Sequence, residues 1–188
     1  GCALVIQEIF ENSGYLKGCF TTLLTDHKTI KNIIKNDIIK AVSLTGSEKA
    51  GRKIAEITGS QLKKLVLELG GNNACVILKD ANLEKHLDTI VSARIQNTGQ
   101  SCIAAKRFIV EADIYDEFLE KFTKKIEALT FGDPTLEDTQ ISVLARADLA
   151  DILEKQIDKS IKLGAHVHYG NKRDKAYYQP TILTEVTK

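Results

Sequence analysis

The sequence predicts an α/β fold in which parallel strands are covered by helices. Short apolar segments of strand length alternate with longer segments of helical periodicity along most of the chain. Glycine-containing turns fall between several of these segments. The chain has 188 residues, 43% of them hydrophobic, which is enough to bury a core in one domain or in parts of two.

The first part of the chain shows this alternation clearly. Its predicted elements are, in order, a helix over 3–12, a strand over 20–24, a helix over 27–35, a strand over 41–44, a helix over 48–58 that Gly59 caps, and a strand over 62–68. Strands that alternate with helices pair in parallel, so this order is typical of a doubly wound sheet.

The same alternation restarts after the double glycine Gly70-Gly71. The predicted elements are a strand over 74–78, a helix that Asp80 or Asn82 caps and that ends near 97, a strand over 107–110, helices over 113–128 and 147–163, and strands over 166–169 and 181–186. We therefore predict a domain boundary at the double glycine, with one domain over 1–69 and a second over 70–188.

Composition argues against two classes of partner. The net charge is +1 and aromatic residues make up 6% of the chain with no tryptophan, which disfavours a nucleic-acid surface and an anionic membrane surface. No apolar stretch approaches the roughly 20 residues that span a bilayer. We expect neither a nucleic acid nor a membrane as partner.

The cysteine and histidine pattern predicts free thiols and no metal site. The four cysteines contain no C-x-x-C pair and do not cluster with the four histidines. His166 and His168 share one face of a predicted strand, but no third ligand has suitable spacing. Free thiols are typical of a reducing compartment, so we expect a cytoplasmic protein.

A first candidate site is Thr45-Gly46-Ser47, between a predicted strand and a helix. Glycine permits a close approach of a ligand to the backbone, and the first amides of the helix favour a phosphate. The alternative interpretation is an ordinary turn in which Ser47 is only the N-cap.

A second candidate is Glu68, within Leu67-Glu68-Leu69-Gly70-Gly71. A carboxylate at the carboxyl end of a parallel strand lies where such sheets keep functional groups, and partial burial there would equip it to deprotonate a water. The alternative is a solvated glutamate that ends a strand.

A third candidate is Cys102, within Asn97-Thr98-Gly99-Gln100-Ser101-Cys102. A thiol just after a glycine turn at a helix end can be exposed to a substrate. The alternative is a small buried hydrophobe, the interpretation we give to Cys2, Cys19 and Cys75.

Together the three segments resemble the aldehyde dehydrogenase superfamily in their order and spacing. Glu68 precedes Cys102 by 34 residues, the separation that this family keeps between its base and its nucleophile. The segment Tyr178-Gln179-Pro180-Thr181 near the end adds to the resemblance, and residues 99–108 are most similar to bacterial succinate-semialdehyde dehydrogenases.

The resemblance implies an aldehyde dehydrogenase fold, with the C-terminal part of a Rossmann-like NAD(P)-binding domain over 1–69 and most of a catalytic domain over 70–188. It implies that Cys102 is the thiol nucleophile towards a small aldehyde and Glu68 the base that activates the hydrolytic water. The cofactor, NAD or NADP, would be contacted by Gly46, Ser47, Glu68 and Leu69. It also implies a homo-oligomer.

Two features of the family are not matched. Some succinate-semialdehyde dehydrogenases hold the substrate carboxylate with an arginine at the position of Gln96, and the nearby Arg94 is expected to point elsewhere on the helix. The family's oxyanion asparagine belongs to an upstream segment absent from this sequence, so we expect a partial chain with little activity alone. The rival interpretations are a non-catalytic structural or oligomerisation module and an unrelated nucleotide-binding α/β protein.

Overall fold

The computed structural model describes residues 1–186, which divide into two units, Gly1–Gly70 and the residues from Gly71 onwards. Within the described residues, strands and helices alternate in both units, so the predicted α/β class is confirmed. The boundary between the units falls inside the double glycine.

The first unit contains three helices and two strands. In chain order these are α1 (Cys2–Asn12), α2 (His27–Lys35), β1 (Ala41–Gly46), α3 (Glu48–Ser60) and β2 (Lys64–Leu69). Strands β1 and β2 pair in parallel, with α3 as the connection between them. The predicted helix over 27–35 is confirmed to the residue, since Asp26 caps it by accepting a hydrogen bond from the Thr29 amide at 2.7 Å.

The carboxyl end of α2 is held by the lysine that directly precedes β2. The Lys63 ammonium donates to the carbonyl oxygens of Ile34 at 2.5 Å and Asn36 at 2.6 Å. A cation at the carboxyl end of a helix meets carbonyl groups that have no partner within the helix. This contact fixes α2, and its buried Ile34, to the segment that leads into β2.

The prediction of a strand over 20–24 is wrong. These residues are irregular, and the side chain of Gln7 in α1 accepts the Thr22 amide hydrogen bond at 2.7 Å. The Thr22 hydroxyl donates to the Ala3 carbonyl at 2.8 Å, and Phe20 stacks on Phe10 with ring centroids 5.0 Å apart. The segment therefore packs along α1 with its amide satisfied by a side chain, not by a neighbouring strand.

Several boundaries in this unit also differ from the prediction, including that of the strand predicted over 62–68, which is β2 over Lys64–Leu69. Gly59 is not the cap of α3, because the helix continues to Ser60 and the chain leaves it through Gln61 and Leu62, the latter with φ of 52°. The strand predicted to end at 44 continues to Gly46, so only Ser47 of the Thr45-Gly46-Ser47 segment lies outside β1.

The second unit contains three α-helices, a short 3-10 helix and six strands among its described residues. In chain order these are β3 (Asn73–Ile77), α4 (Leu83–Ile95), β4 (Ala105–Val110), the 3-10 helix (Ala112–Ile114), α5 (Tyr115–Glu127), α6 (Ala147–Lys162), β5 (His166–Tyr169), β6 (Arg173–Asp174), β7 (Tyr177–Tyr178) and β8 (Ile182–Thr184). Strands β3 and β4 pair in parallel, whereas β5 with β8 and β6 with β7 are antiparallel.

Helices α4 and α5 pack over β3 and β4 to form the main core of this unit. The buried side chains are Ile77, Leu83, Leu87, Val91, Phe118, Phe122 and Ile126. Those in α4 and α5 recur at helical spacing, which is why both segments fold as amphipathic helices, whereas Ile77 belongs to β3. Of the two predicted caps for α4, Asn82 is the one used, accepting the Lys85 amide at 3.0 Å.

A second core cluster lies between α6 and the C-terminal strands. It contains Leu144, Ala150, Ile157 and Tyr178 as buried residues. Arg173 joins the two layers by pairing with Asp151 at 2.5 Å and Glu154 at 2.7 Å on α6. The final strand is shorter than the predicted 181–186, because β8 pairs with β5 only over Ile182–Thr184.

Candidate active site

The first unit brings four of the candidate residues to one end of its sheet. The parallel register pairs Thr45 with Glu68 and Gly46 with Leu69, so both strands end at the same edge. Ser47 follows Gly46 directly and begins α3. The carboxyl ends of parallel strands are where α/β sheets place their ligands. Candidates more than twenty residues apart in sequence thus become neighbours through strand pairing.

Ser47 is the N-cap of α3, with its hydroxyl accepting the Ala50 amide at 3.2 Å. Gly46 is exposed, and a Cβ added there would meet nothing closer than Leu44 at 3.8 Å. The start of a helix beside an open glycine is a favourable place for a phosphate group, because helix amides and the helix dipole both favour an anion. The observed capping by Ser47 does not conflict with the cofactor contact expected for this residue.

Glu68 is exposed, whereas partial burial was expected. The side chains of β2 alternate in burial, and Glu68 shares the exposed face with Lys64 and Val66, while Leu67 and Leu69 face the interior. Its carboxylate is therefore open to water at the strand end. This exposure is also what the alternative, a solvated glutamate that ends a strand, predicts.

Gly51 is a residue of this site that the sequence analysis did not select. It is buried in α3, and a Cβ added there would lie 2.8 Å from Cδ2 and 2.9 Å from Cδ1 of Leu69. Only a glycine lets the helix lie this close to β2. The contact sets the position of Leu69, the candidate that follows Glu68.

We expect Gly51→Ala to destabilise the first unit by about 1 kcal/mol, although alanine has the higher helix propensity. Overpacking against Leu69 costs about 1–3 kcal/mol, while the gain in propensity is no more than about 1 kcal/mol. Urea denaturation followed by hydrogen exchange in residues 1–70 measures the change.

Gly59→Ala provides the matched control for Gly51→Ala. Gly59 lies in the same helix, and a Cβ there would meet nothing within 4 Å, so this variant should stabilise the unit by about 0.5–1 kcal/mol. In a Leu69→Ala background Gly51→Ala should also become stabilising. A loss of equal size in that background would show that Leu69 is not the cause.

In the second unit Cys102 lies in a loop between α4 and β4 that has an unusual backbone. Asn97, Thr98 and Gly99 all have positive φ, at 53°, 55° and 74°. Two of them are not glycine, and such residues in left-handed conformation are uncommon and concentrate at functional sites. This turn ends α4 at Ile95, two residues before the predicted end.

Arg94 holds both ends of this loop. Its guanidinium donates to the carbonyl oxygen of Gly99 at 2.7 Å and to that of Ala105 at 2.9 Å. Burial lowers the pKa of this guanidinium. A half-buried cation with two carbonyl partners is structurally committed, so Arg94 points away from solvent and into the loop, as expected from its place on the helix.

The carbonyl of Cys102 itself is held from two sides. The side-chain amide of Asn73 donates to it at 3.0 Å, and the Lys106 ammonium donates to it at 3.2 Å. Gly71 lies beside this contact, since a Cβ added there would be 3.8 Å from the Cys102 carbonyl oxygen. Neither Asn73 nor Lys106 was selected from the sequence, where an asparagine and a lysine beside strands carry no distinguishing pattern.

Two further residues tie the loop to the segment between α5 and α6. The Ser142 amide donates to the Thr98 hydroxyl at 3.3 Å, and the Ala145 amide donates to the Gln100 side-chain oxygen at 3.0 Å. Gln100 thus shapes the loop through its side chain. The loop is anchored along its whole length while Cys102 remains exposed.

The other thiols differ from the prediction. Cys2 and Cys19 are exposed, and Cys75 is half-buried. Cys2 is the first residue of α1, a helix without any buried residue, and Cys19 lies in the irregular segment after Gly18. Burial raises the pKa of the Cys75 thiol. Cys102 is therefore set apart by its anchored loop, not by exposure.

Within residues 1–186 no group of three or more His, Cys, Asp or Glu side chains could hold a metal ion. The same residues include no helix that is both long enough and apolar enough to cross a membrane.

Comparison with known proteins places these features in one family. The model of the aldehyde dehydrogenase family matches residues 1–188. The chain belongs to the aldehyde dehydrogenase family. Both the suspected family and the aldehyde dehydrogenase fold are thereby confirmed.

The relatives carry a consistent name. The chain is 45% identical over 188 residues to a Synechocystis sp. protein named "Probable succinate-semialdehyde dehydrogenase (NADP(+))", covering 98% of this chain and 41% of that protein. It is 42% identical to succinate-semialdehyde dehydrogenase (NADP(+)) 1 of Mycobacterium ulcerans, covering 99% of this chain and 41% of that protein. The chain thus spans about 41% of the length of these relatives.

Solved structures of aldehyde dehydrogenases share the fold. The succinic semialdehyde dehydrogenase of Streptococcus pyogenes, solved with NADP+ as the cofactor, superposes with a TM-score of 0.94 at 34% identity, covering 99% of this chain and 42% of that one. The lactaldehyde dehydrogenase of Escherichia coli gives a TM-score of 0.91 at 32% identity, covering 98% of this chain and 40% of that one.

Proposed function

We propose that this aldehyde dehydrogenase chain supplies the nucleophile and the water-activating base for NAD(P)-dependent oxidation of an aldehyde to a carboxylic acid. The observation that carries the proposal is Cys102, an exposed thiol in a loop whose backbone is anchored at Gly99, Cys102 and Ala105. Exposure gives a substrate access to the sulfur, and anchoring holds the backbone that carries the sulfur in one geometry.

The chemistry proceeds through a covalent intermediate. The Cys102 thiolate adds to the aldehyde carbon and forms a thiohemiacetal. Departure of the hydride from that carbon leaves a thioester on Cys102. Glu68 then takes a proton from a water molecule, whose oxygen attacks the thioester carbon, and the carboxylic acid leaves as the Cys102 thiolate is restored.

Gly46, Ser47, Glu68 and Leu69 would hold the cofactor. They fit this role because they share the carboxyl edge of β1 and β2, with the open Gly46 and the start of α3 available to phosphate groups. When bound, the oxidised nicotinamide supplies the acceptor for the hydride. We propose NADP in preference to NAD, since the names of the relatives specify NADP(+). The Streptococcus pyogenes enzyme was also solved in complex with NADP+.

The proposed substrate is succinate semialdehyde, as in the names of the relatives. We do not assign its carboxylate to Arg94, because this half-buried guanidinium already donates to two loop carbonyls. We propose that another group binds the carboxylate. We further propose that residues 1–69 belong to the NAD(P)-binding domain and 70–188 to the catalytic domain of a homo-oligomer, and that these 188 residues alone turn over slowly.

The rate at which each cysteine reacts with iodoacetamide tests this proposal. Cys2 and Cys19 are exposed but lie outside the anchored loop, so they serve as references within the same molecule. We expect Cys102 to react about tenfold faster than either reference, because an activated thiol reacts as the thiolate. Addition of NADP+ should change the rate at Cys102 and leave the rate at Cys19 unaltered. Peptide mass spectrometry gives all rates from one sample.

A non-catalytic structural or oligomerisation module is the alternative. In that case Cys102 should react no faster than Cys2 and Cys19, and no adduct should form with an aldehyde. A fast Cys102 without any effect of NADP+ would support the nucleophile and contradict the cofactor site.

A further inference from the structure

Lys106 lies at an irregularity in the strand pairing next to Cys102. Asn73 pairs with Ala105, but the following residue Ala74 pairs with Arg107. Lys106 is thus the extra residue of β4 at this register shift. Such bulges occur beside active sites, where they redirect a side chain that regular pairing would aim elsewhere.

The redirected ammonium reaches three carbonyl groups of the nucleophile loop. It donates to the oxygens of Ser101 at 3.1 Å, Cys102 at 3.2 Å and Ala104 at 3.2 Å. An ammonium group has three hydrogens to donate, and three carbonyl oxygens are in place to accept them. The side chain spans the turn closed by the Ala104 amide and the Ser101 carbonyl.

These contacts fix the two peptide groups on either side of the nucleophile. The Ser101 carbonyl belongs to the same planar peptide group as the Cys102 amide. The Cys102 carbonyl belongs to the next one. Because each peptide group is rigid, holding both oxygens sets the direction of the Cys102 amide and the path of its Cα. The side-chain amide of Asn73 supports the second oxygen at 3.0 Å.

We propose that Lys106 is the positioning residue of the nucleophile loop, fixing the peptide groups on both sides of Cys102 through their carbonyl oxygens. The proposal rests on the proposed function for its catalytic meaning, since it assumes that Cys102 is the nucleophile. Lys106 touches neither the sulfur nor a substrate in this role.

The surroundings of Lys106 explain why three acceptors are needed. Burial lowers the pKa of its ammonium, and the charge of Arg94 lowers it further, whereas Cys102 acts in the opposite direction. A partly buried cation beside a second cation is costly unless it is hydrogen-bonded. The loop carbonyls supply the hydrogen bonds that the ammonium requires, and the same hydrogen bonds order the loop.

Hydrogen exchange in Lys106→Met tests the positioning role without any enzyme assay. Methionine keeps the length and apolar part of the side chain and removes the three donated bonds. Amides of residues 99–105 should exchange about tenfold faster, because hydrogen bonds from a charged donor are worth about 1.5–3 kcal/mol. Lys124→Met, which removes a lysine paired with Glu120 on the exposed face of α5, should leave them unaltered.

Chemical rescue separates positioning from general stability. In Lys106→Ala the missing part of the side chain corresponds to propylammonium, which should restore protection of residues 99–105 and slow exchange towards that of the unaltered chain. Sodium chloride at the same ionic strength should have no effect. A side chain that only contributes packing would not be replaced by an added cation.

The two proposals fail in different ways. Unaltered exchange of residues 99–105 in both Lys106 variants would overturn the positioning role, whatever the reactivity of Cys102. Suppose that exchange is faster in the variants, that propylammonium slows it again, and that Cys102 of the unaltered chain is no more reactive than Cys2 and Cys19. The exchange data would then support the positioning role. That result would contradict only the proposed nucleophile.

Discussion

Replacing Gly99 by alanine is expected to lower the free energy of unfolding of the second unit by about 2–4 kcal/mol. The backbone at Gly99 has φ of 74°, which alanine adopts at a cost of about 1 kcal/mol or more. The added Cβ would also collide with the Arg94 guanidinium, which bonds the carbonyls of Gly99 and Ala105. Moving that cation breaks two charged hydrogen bonds. Urea denaturation followed by hydrogen exchange in residues 71–186 measures the loss.

Two comparisons separate the contributions to the Gly99→Ala effect. Gly164 has φ of 104° and open space around its Cα, so Gly164→Ala carries a backbone cost without a collision. In an Arg94→Ala background the collision is absent, and Gly99→Ala should cost only about 1 kcal/mol. An equal loss of unfolding free energy with and without Arg94 would show that the whole effect comes from the backbone conformation of Gly99. Arg94 would then not be what makes glycine necessary at this position.

The same Gly99 variant tests how far the loop controls Cys102. If anchoring at Gly99 and Ala105 holds the thiol, Gly99→Ala should also slow its reaction with iodoacetamide relative to Cys2 and Cys19. A destabilised unit with an unaltered Cys102 rate would show that the loop geometry and the reactivity of the thiol are independent.

Strand pairing explains why part of the site could be predicted from sequence. A glycine-serine turn after one strand and a glutamate at the end of the next must meet when the strands are parallel, and the register of Thr45 with Glu68 has this arrangement. The family resemblance of the segment from Gly99 to Cys102 then added the nucleophile. Local patterns were sufficient for the candidates of the first unit because they lie at or next to the ends of β1 and β2.

The residues that hold Cys102 could not be predicted in this way. Lys106 reaches the loop only because β4 is bulged against β3, and a bulge depends on the register between segments about thirty residues apart. Asn73 and Arg94 act on backbone carbonyls, which every residue possesses. Because the acceptor can be a residue of any type, the sequence of the loop does not indicate which side chains bind it.

The incorrect strand over 20–24 has a related cause. Phenylalanine, threonine and leucine favour a strand locally, but a strand needs a neighbour whose backbone groups are free. Here Gln7 and Ala3 of α1 take the hydrogen bonds of Thr22. These contacts with α1 replace the strand pairing that local propensity predicted.

Replacing Glu68 by glutamine is expected to trap the thioester on Cys102. Glutamine keeps the size of the side chain at the end of β2 but cannot take a proton from water, and loss of a general base slows such a step by about 100-fold or more. After mixing with succinate semialdehyde and NADP+, Cys102 should carry the mass of the acyl group for far longer in the variant. Peptide mass spectrometry of quenched samples measures its formation and decay.

The controls for Glu68→Gln follow from the position of this residue. Glu56→Gln removes an exposed carboxylate of the same unit that pairs with Lys53 on α3, and it should leave the thioester lifetime unaltered. Cys102→Ser should abolish the adduct and so confirm its site. Equal lifetimes in the Glu68 variant and the unaltered chain would remove Glu68 as the base. Because these 188 residues are expected to turn over slowly, the samples are followed over prolonged incubation. If no adduct forms in either chain even then, the oxidation itself is contradicted, because the thioester precedes the step that Glu68 serves.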